Sequence, residues 1–215
     1  MRIFLVTLAV STISGVALRQ LRLAQRIWPS HSVLATVVLA AGCGFAAQLA
    51  ASSDWEGART VEEPGFTVVG ISTRTTNALE MSGRGVIGMQ WERFMQDGLL
   101  ARIPNRVDSN ILAVYTDYES DHSGAYTFLL GARVSSAEHV PAGMVAKEVP
   151  PGKYALFISR QGPAAKVVSE AWQHINSLPK SAPGGDRIYR ADFEVYGPRA
   201  ADPQHAQADI YVGIR

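Results

Sequence analysis

The chain has 215 residues, with a formal net charge of +1 and a sequence pI near 7.9. This balance gives no electrostatic reason to expect nucleic-acid binding, because a phosphate backbone is bound by clusters of Lys and Arg. A single cysteine excludes an intramolecular disulfide and a cysteine-based zinc site, and the five histidines show no spacing typical of a zinc-binding helix. Neither a dinucleotide-binding fingerprint nor a phosphate-binding loop occurs, so we expect no metal and no cofactor.

Residues 1–51 contain two apolar runs, Ile3 to Leu18 and Val33 to Ala51, with three arginines between them. The first run is short for a membrane span, which needs about 20 apolar residues. Arginines beside apolar segments stay in the cytoplasm, and this places the chain after the second run on the other side of the membrane. We therefore interpret 1–51 as a signal or membrane-anchor region, and we expect the rest of the chain to be extracytoplasmic.

The second apolar run contains Leu-Ala-Ala-Gly-Cys at 39–43, which resembles the lipobox where bacterial lipoproteins are cleaved and lipidated. Leu39 lies one position further from the cysteine than the usual leucine. Three interpretations remain open: a lipoprotein signal with Cys43 as the lipidated anchor, a secretory signal cleaved around 46–51 that releases a periplasmic protein, or a pair of membrane segments. If translation begins downstream of Met1 instead, the domain is cytoplasmic.

Sequence composition changes at residue 66. The preceding segment, 52–65, is small, polar and acidic, so we interpret it as a linker to a folded domain over 66–215. Alternating or β-branched runs predict strands there, and apolar residues three or four positions apart predict helices. In chain order the predicted elements are a strand at 66–76, a helix at 85–98, strands at 111–118 and 125–134, strands at 144–149 and 153–160 on either side of a Pro-Pro-Gly turn, a helix at 163–177, and strands at 192–196 and 209–214.

These elements form two copies of a strand-helix-strand-strand repeat. Residues 86–94 overlay 167–175 with Trp91 matched to Trp172, and the Gly-Ala-Arg sequence at 131 overlays Gly-Ile-Arg at 213. Such a duplication predicts an α+β domain of β-α-β-β repeats, with an antiparallel sheet, two helices and a pseudo-twofold axis, preceded by the apolar N-terminal segment. We expect a central cleft where the two halves meet, since ligands bind at such grooves.

The predicted strand at 192–196 alternates polar and apolar residues, which places Phe193 and Val195 on one face. Glu194 then lies on the opposite face, between Asp192 and Tyr196. If that face is exposed, Glu194 is a surface residue at a sheet edge. If it lines a pocket, Glu194 is a carboxylate held among aromatic rings, and such a group either recognises a cation or acts as a general base.

A family resemblance rests on six segments: 113–122 (AVYTDYESDH), 126–131 (YTFLLG), 149–154 (VPPGKY), 171–172 (AW), 192–196 (DFEVY) and 209–211 (DIY). In combination they resemble GyrI-like effector-binding domains, which occur fused to AraC- and MerR-type transcription activators, in a gyrase-inhibitor protein and as stand-alone integron-cassette proteins. The resemblance covers 66–215. The apolar N-terminal third does not resemble the helix-turn-helix part of such regulators, so we expect no direct nucleic-acid binding.

The resemblance implies a small, often cationic or lipophilic ligand in the cleft between the repeats. It also implies a buried glutamate within an aromatic wall, at the position of Glu194. The helical spacing of the two tryptophans leaves core packing open as their role. The candidate ligand-binding residues are Glu194, Tyr126, Trp91, Trp172, Tyr115 and Tyr154.

Three hypotheses about the function follow from these residues and from the resemblance. The leading hypothesis is a binding protein, anchored in the membrane or exported, that captures a cationic or amphipathic organic molecule. The alternative is a hydrolase of electrophilic small molecules, in which Glu194 orients or deprotonates water and Tyr126 donates a hydrogen bond. A raised pKa of Glu194 and room for a water beside it would favour catalysis. The third is a protein-interaction or inhibitor module, which a shallow groove with polar walls would favour.

Overall fold

The computed structural model describes residues 58–181 and 184–215. The predicted targeting region, 1–51, lies outside these residues, and so does the predicted lipidation site at Cys43. Within the described residues, no helix combines the length and the apolarity needed to cross a membrane.

The described residues form a sheet of eight strands that carries helices, and each predicted strand and helix is present. β1 lies inside the segment predicted as a linker, 52–65, and pairs with β6 along its whole length, so folded structure begins before Phe66. The elements in chain order are β1 (Arg59–Glu63), β2 (Phe66–Thr76), α1 (Ile87–Gln96), α2 (Leu99–Arg102), β3 (Ile111–Thr116), β4 (Ala125–Val134), β5 (Val145–Val149), β6 (Gly152–Ile158), α3 (Ala164–Ser177), β7 (Arg187–Tyr196) and β8 (Asp209–Ile214).

Between β2 and α1 the chain forms two short helical turns, Asn77–Leu79 and Glu80–Arg84. The Glu80 carboxylate accepts hydrogen bonds from the backbone N–H groups of Val86, at 3.0 Å, and Ile87, at 3.3 Å. These N–H groups belong to the start of α1, where a helix has no internal acceptor for them and where negative charge is favourable. The turns are therefore tied to the N-terminus of α1.

The sheet is antiparallel throughout, with the strand order β1-β6-β8-β7-β3-β4-β2-β5. Read outwards from the centre of that order, β3 corresponds to β7, β4 to β8, β2 to β6 and β5 to β1. The first repeat is thus β1-β2-α1-β3-β4, and the second is β5-β6-α3-β7-β8. The predicted α+β duplication is confirmed, and each repeat opens with two strands; β1, which opens the first repeat, is the strand that the sequence pattern did not predict.

Two glycines account for one of the sequence matches between the repeats. A Cβ atom on Gly131 would lie 2.1 Å from the carbonyl oxygen of Val69, and a Cβ on Gly213 would lie 2.9 Å from that of Ala191. Each position therefore requires glycine, because the backbone of a neighbouring strand approaches too closely for a side chain.

β5 and β6 do not form a hairpin, although the Pro-Pro-Gly sequence between them predicts a turn. β5 pairs with β2, and β6 pairs with β1 and β8. Proline cannot donate to a strand ladder, so Pro150 and Pro151 interrupt one extended run of chain. Pro64 and Gly65 interrupt β1 and β2 in the same way, and a Cβ on Gly65 would lie 2.9 Å from Pro151. Each interruption therefore connects a strand at one end of the strand order to a strand near the other end: β1 to β2, and β5 to β6. The two connections lie beside each other.

The core is divided between the two faces of the sheet. One face carries a cluster contributed by strands alone, with Val68, Tyr154 and Phe193 among its buried members. The other face packs against α1 through a cluster that contains Phe94, and against α3 through a cluster that contains Ile175. The helices therefore cover one face only, and their separation on that face leaves room for a cavity.

Candidate ligand-binding site

A cavity of about 1030 Å³ opens between α1, α3 and the central strands β3 and β7. Small-molecule sites usually measure roughly 300–1,000 Å³, so this one suits a sizeable organic ligand. Both repeats contribute to it, as expected for the predicted central cleft. Its wall includes Ile87, Trp91 and Met95 of α1, Tyr115 of β3, Tyr126 of β4, Val168, Trp172 and Asn176 of α3, and Arg187, Glu194 and Tyr196 of β7.

Glu194 is buried in this wall, with 1% of its surface exposed. Its Oε1 accepts hydrogen bonds from the Tyr115 hydroxyl at 2.7 Å and from the Trp172 indole N–H at 2.5 Å. Its Oε2 accepts a third from the Tyr196 hydroxyl at 2.6 Å. Glu194 is therefore not the exposed sheet-edge residue that the strand pattern alone leaves open, but a carboxylate oriented by three aromatic side chains.

The electrostatic state of Glu194 reflects burial without a counter-ion among its donors. Burial raises the pKa of Glu194, and the hydrogen bonds from Trp172, Tyr196 and Tyr115 lower it without cancelling that effect. Indole and phenol groups are neutral, so these bonds stabilise the negative charge but do not neutralise it. Each carboxylate oxygen accepts two hydrogen bonds, and Oε2 therefore retains capacity for one more.

The two tyrosines that bond to Glu194 are fixed as hydrogen-bond donors. Burial raises the pKa of Tyr115 and of Tyr196 well above its usual value, and the negative charge of Glu194 raises it further. Both phenols thus remain protonated throughout the physiological pH range, where each has one hydrogen to donate. Glu194 is the group in this cluster that changes charge.

Aromatic rings surround the carboxylate. Trp91 lies edge-to-face against Tyr196 with centroids 4.8 Å apart, and Tyr115 lies edge-to-face against Trp172 at 5.1 Å. Both tryptophans are partly buried, pack against the core clusters and line the cavity. Core packing and cavity lining are therefore not alternatives for them.

Tyr126 lines the cavity but makes a different contact from the one that the hydrolase hypothesis needs. Its hydroxyl donates to Oδ1 of Asn77 at 2.9 Å, and Nδ2 of Asn77 donates to the backbone carbonyl of His122 at 2.8 Å. Burial, followed by the charges of Glu80 and Glu194, raises the pKa of Tyr126 above its usual range. Tyr126 thus anchors the turn before α1 to the cavity wall.

Tyr154 is the predicted site residue that the structure places elsewhere. It packs in the strand-only cluster, with its ring centroid 5.3 Å from that of Phe193, and its hydroxyl donates to the carbonyl of Pro150 at 2.8 Å. Burial raises its pKa to about 12. The candidate assignment of Tyr154 to the ligand site is wrong because successive residues of β6 face opposite sides of the sheet, and Tyr154 faces away from the helices.

A buried ion pair also borders the cavity, and sequence reasoning missed it. Arg187 bonds to Asp192 at 2.7 Å, with Asp192 fully buried, and Arg187 also donates to Oδ1 of Asn176 at 2.7 Å. The Tyr118 hydroxyl and the Gly213 N–H donate to the two oxygens of Asp192 at 2.7 and 2.9 Å. Asp192 is thus internally compensated by a cation, unlike Glu194.

Tyr196 is the second omission from the predicted site. The period-two alternation already places Tyr196 on the same face as Glu194, so this pattern could have identified it.

Within the described residues, no group of three or more His, Cys, Asp or Glu side chains is arranged to hold a metal ion. The site around Glu194 offers recognition by its carboxylate, by phenol and indole groups and by apolar surface.

The family model for integron-associated effector binding protein, Cass2, matches residues 59–214. YobU of Bacillus subtilis, whose name assigns it to the transcriptional regulators, is 35% identical over 147 residues, which cover 68% of this chain and 90% of YobU. The transcriptional regulator BrlR of Pseudomonas aeruginosa is 31% identical over 164 residues, which cover 73% of this chain and 55% of BrlR.

Solved structures share this architecture. An integron cassette protein from the mobile metagenome of Vibrio cholerae superposes with a TM-score of 0.59 at 29% identity, covering 75% of this chain and 97% of its own. SAV2435, solved with bound tetraphenylphosphonium, superposes with a TM-score of 0.61 at 17% identity, covering 74% of this chain and 93% of its own. The chain therefore belongs to the Cass2 family of integron-associated effector binding proteins, a family of GyrI-like small-molecule-binding domains.

Proposed function

We propose that this domain binds a lipophilic organic cation in the cavity, with Glu194 as the counter-ion. The observation that carries the proposal is a buried carboxylate whose three hydrogen-bond donors are all neutral. Removing a carboxylate from water is unfavourable unless hydrogen bonds and an opposite charge compensate. A bound cation supplies the charge that the protein's own donors lack.

The aromatic wall supports an organic cation over a metal ion. The faces of aromatic rings attract a cation by about 0.5–2 kcal/mol each, and more when water is excluded. Apolar side chains such as Ile87 and Val168 complete the wall, and they suit a ligand whose charge is surrounded by hydrocarbon. SAV2435, which has the same fold, was solved with a cation of this kind, and tetraphenylphosphonium is therefore the probe of choice.

The hydrolase alternative has two observations in its favour, the raised pKa of Glu194 and the free acceptor position of its Oε2 beside the cavity. Two contacts weigh against it. Three of the four acceptor positions of Glu194 are occupied, and donors that stabilise a carboxylate reduce its strength as a base. The hydroxyl of Tyr126, the proposed hydrogen-bond donor, is engaged with Asn77. Ligand binding therefore has the stronger support.

The protein-interaction alternative predicts a shallow groove with polar walls. The cavity instead has a volume of about 1030 Å³, and Glu194 in its wall is only 1% exposed, so a protein side chain would have to insert deeply to reach it. A small ligand fits these dimensions better.

The cellular location of the domain stays a prediction from the sequence. The two apolar runs and the arginines between them support a membrane-anchored or periplasmic protein, and 39–43 supports lipidation of Cys43. Incorporation of labelled palmitate that is lost in Cys43→Ser would test the lipoprotein interpretation.

Isothermal titration calorimetry of the full chain with tetraphenylphosphonium tests the proposed function, with neutral triphenylphosphine oxide as the matched uncharged ligand. Glu194→Gln preserves the size of the side chain and removes its charge. Glu92→Gln is the control, because Glu92 is exposed on α1 outside the cavity. We expect Glu194→Gln to weaken phosphonium binding on the order of 10- to 100-fold, since an opposite charge is lost in a water-poor site.

The neutral ligand should show no comparable loss in Glu194→Gln, and Glu92→Gln should bind both ligands as the parent does. Thermal melting of each variant establishes that it is folded. Equal phosphonium affinity in Glu194→Gln and the parent would refute the proposal, as would an equal loss for both ligands, because the site would then not recognise charge.

A further inference from the structure

Three methionines are unusually exposed on and beside α1. Met81 has 83% of its surface exposed, Met89 61% and Met95 60%. Met81 and Met95 line the cavity, whereas Met89 does not. Exposed apolar side chains that border a pocket mark a binding surface more often than isolated ones do.

We propose that Met81 and Met95, here called the methionine rim, bind the part of the ligand that extends beyond the aromatic rings around Glu194. The rim thereby sets which sizes of cation the site retains. This inference rests on the proposed function. Methionine is flexible and polarisable, so it adapts to apolar groups of different shape, and this makes it common at binding surfaces that accept several partners.

Met95 is positioned for this role by the helix that carries it. Ile87, Trp91 and Met95 lie four residues apart on α1, and all three line the cavity. Side chains at this spacing share one face of a helix. Ile87 packs against the core, Trp91 packs against both the core and Tyr196, and Met95 is mostly in solvent. The apolar stripe of α1 therefore continues out of the core and along the cavity.

Met81 reaches the same cavity from the turns that precede α1. The carboxylate of the adjacent Glu80 holds these turns to the first N–H groups of α1, and the Tyr126 hydroxyl binds Asn77 at their start. The backbone under Met81 is thus tied down at both ends, while its side chain remains free to adjust. A fixed backbone with a mobile thioether is suited to binding different ligands without loss of the site.

The rim belongs to one repeat only. The overlay that matches Trp91 with Trp172 places Met95 on Asn176, which is a polar residue bonded to Arg187 at 2.7 Å. The first repeat therefore presents a thioether to the cavity where the second repeat presents a polar, already paired side chain. An apolar group of the ligand is therefore accommodated on the side of the cavity formed by α1.

The test compares two cations and three sets of variants. Tetraphenylphosphonium is large, and tetraethylammonium is small enough to contact the rings around Glu194 without the rim. In Met81→Ala/Met95→Ala we expect the Kd of tetraphenylphosphonium to rise about tenfold, if each thioether loses roughly 30 Å² of apolar contact. The Kd of tetraethylammonium should change less than about twofold, because this small cation does not contact the rim and the substitutions remove no contact area from it.

Met89→Ala is the control, since it removes from α1 a methionine that is as exposed as Met95 but lies outside the cavity. Met81→Leu/Met95→Leu should retain most of the affinity, because leucine restores apolar surface. A double alanine variant that binds tetraphenylphosphonium as Met89→Ala does would overturn the proposal. An equal loss for both cations would also overturn it, since the effect would then come from the site around Glu194.

A failure of the proposed function has a different signature from a failure of the rim. If tetraphenylphosphonium binding does not depend on Glu194 in the calorimetric comparison, the site is not a cation site, and the assignment of the rim to a cation falls with it. If the dependence on Glu194 holds but the double alanine variant matches Met89→Ala, the rim alone is refuted.

Discussion

Cation binding should weaken as the pH falls, because Glu194 must be ionised to attract the ligand. Burial raises the pKa of Glu194, so its charge is lost at a higher pH than that of an exposed glutamate. The neighbouring phenols of Tyr115 and Tyr196 do not ionise in this range, since their pKa values are raised as well. Protonation of Glu194 is therefore the change that removes the counter-ion.

The size of the effect follows from the fraction of the protein that is competent to bind. Well below the raised pKa of Glu194, each further unit of pH reduces the ionised fraction about tenfold, and the apparent Kd rises by the same factor. Well above that pKa the affinity is constant. The ligand in turn lowers the pKa of Glu194 in the complex. Binding therefore releases protons at pH values between the pKa of Glu194 in the complex and its pKa in the free protein.

The same titration changes the stability of the ligand-free protein in the opposite sense. Because the folded pKa of Glu194 lies above the unfolded one, its favourable contribution is complete below the unfolded pKa and is lost as the pH rises through the folded pKa. The stabilisation that a saturating cation confers should consequently grow over the same rise in pH.

Fluorescence titration of tetraphenylphosphonium between pH 4 and pH 8, together with thermal melting with and without the ligand, measures both effects. Glu194→Gln is the control, because it removes the titrating group and should show weak binding with little dependence on pH. A Kd that is constant over the whole range in the parent would refute the reasoning. So would an identical pH profile in Glu194→Gln, because another group would then be responsible.

Two further predictions concern residues outside the hydrogen-bonded cluster around Glu194. Asp192→Asn should destabilise the fold by about 3–5 kcal/mol, because Arg187 would remain buried without its partner. Asp209→Asn breaks the more exposed pair with Arg199 and should cost less than about 1 kcal/mol; equal losses in urea denaturation would contradict this distinction. Tyr154→Phe should remove about 1 kcal/mol through the lost bond to the Pro150 carbonyl and leave the Kd of tetraphenylphosphonium unchanged. A weaker Kd in that variant would contradict the placement of Tyr154 on the far face of the sheet.

Alternation along one strand was enough to place Glu194 but not to find its partners. The period of two separates Glu194 from Phe193, and the two residues do lie on opposite faces of β7. Tyr115, however, lies 79 residues away in the chain and Trp172 lies 22 away. Their contacts depend on strand register and helix position, which no local pattern specifies.

The same limitation explains the error at Tyr154. The alternation in 153–160 divides these residues between two faces, but it does not say which face the helices cover. In the structure both faces of β6 are buried, because the strand-only cluster lies on one side and α3 on the other. An aromatic residue on such a strand is as compatible with the core as with a ligand site.

The ion pair between Arg187 and Asp192 was hidden by an irregularity in β7. The two residues are five positions apart, so a regular strand would direct them to opposite faces. A shift in the pairing of β7 with β8 occurs between them, and Tyr189 has a φ of 51° within that interval. A bulge of this kind reverses the alternation and brings both side chains together. Nothing in the local sequence specifies where the reversal occurs.

The duplication relates Glu194 to one of its own hydrogen-bond donors. Gly131 on β4 is equivalent to Gly213 on β8. The pairing of β4 with β3 and of β8 with β7 then makes Tyr115 of the first repeat equivalent to Glu194 of the second. The two residues are thus counterparts across the pseudo-twofold axis, and they bond to each other at 2.7 Å.

A glutamate in both repeats would place two carboxylates within contact distance, and one of them would then remain protonated to avoid repulsion. Two phenols would leave this position without a negative charge. The combination of one phenol and one carboxylate gives a donor and an acceptor at the axis, with one negative charge at this position. Divergence of the two halves at this pair is therefore what places the Glu194 charge in the cavity wall, as the proposed cation binding requires.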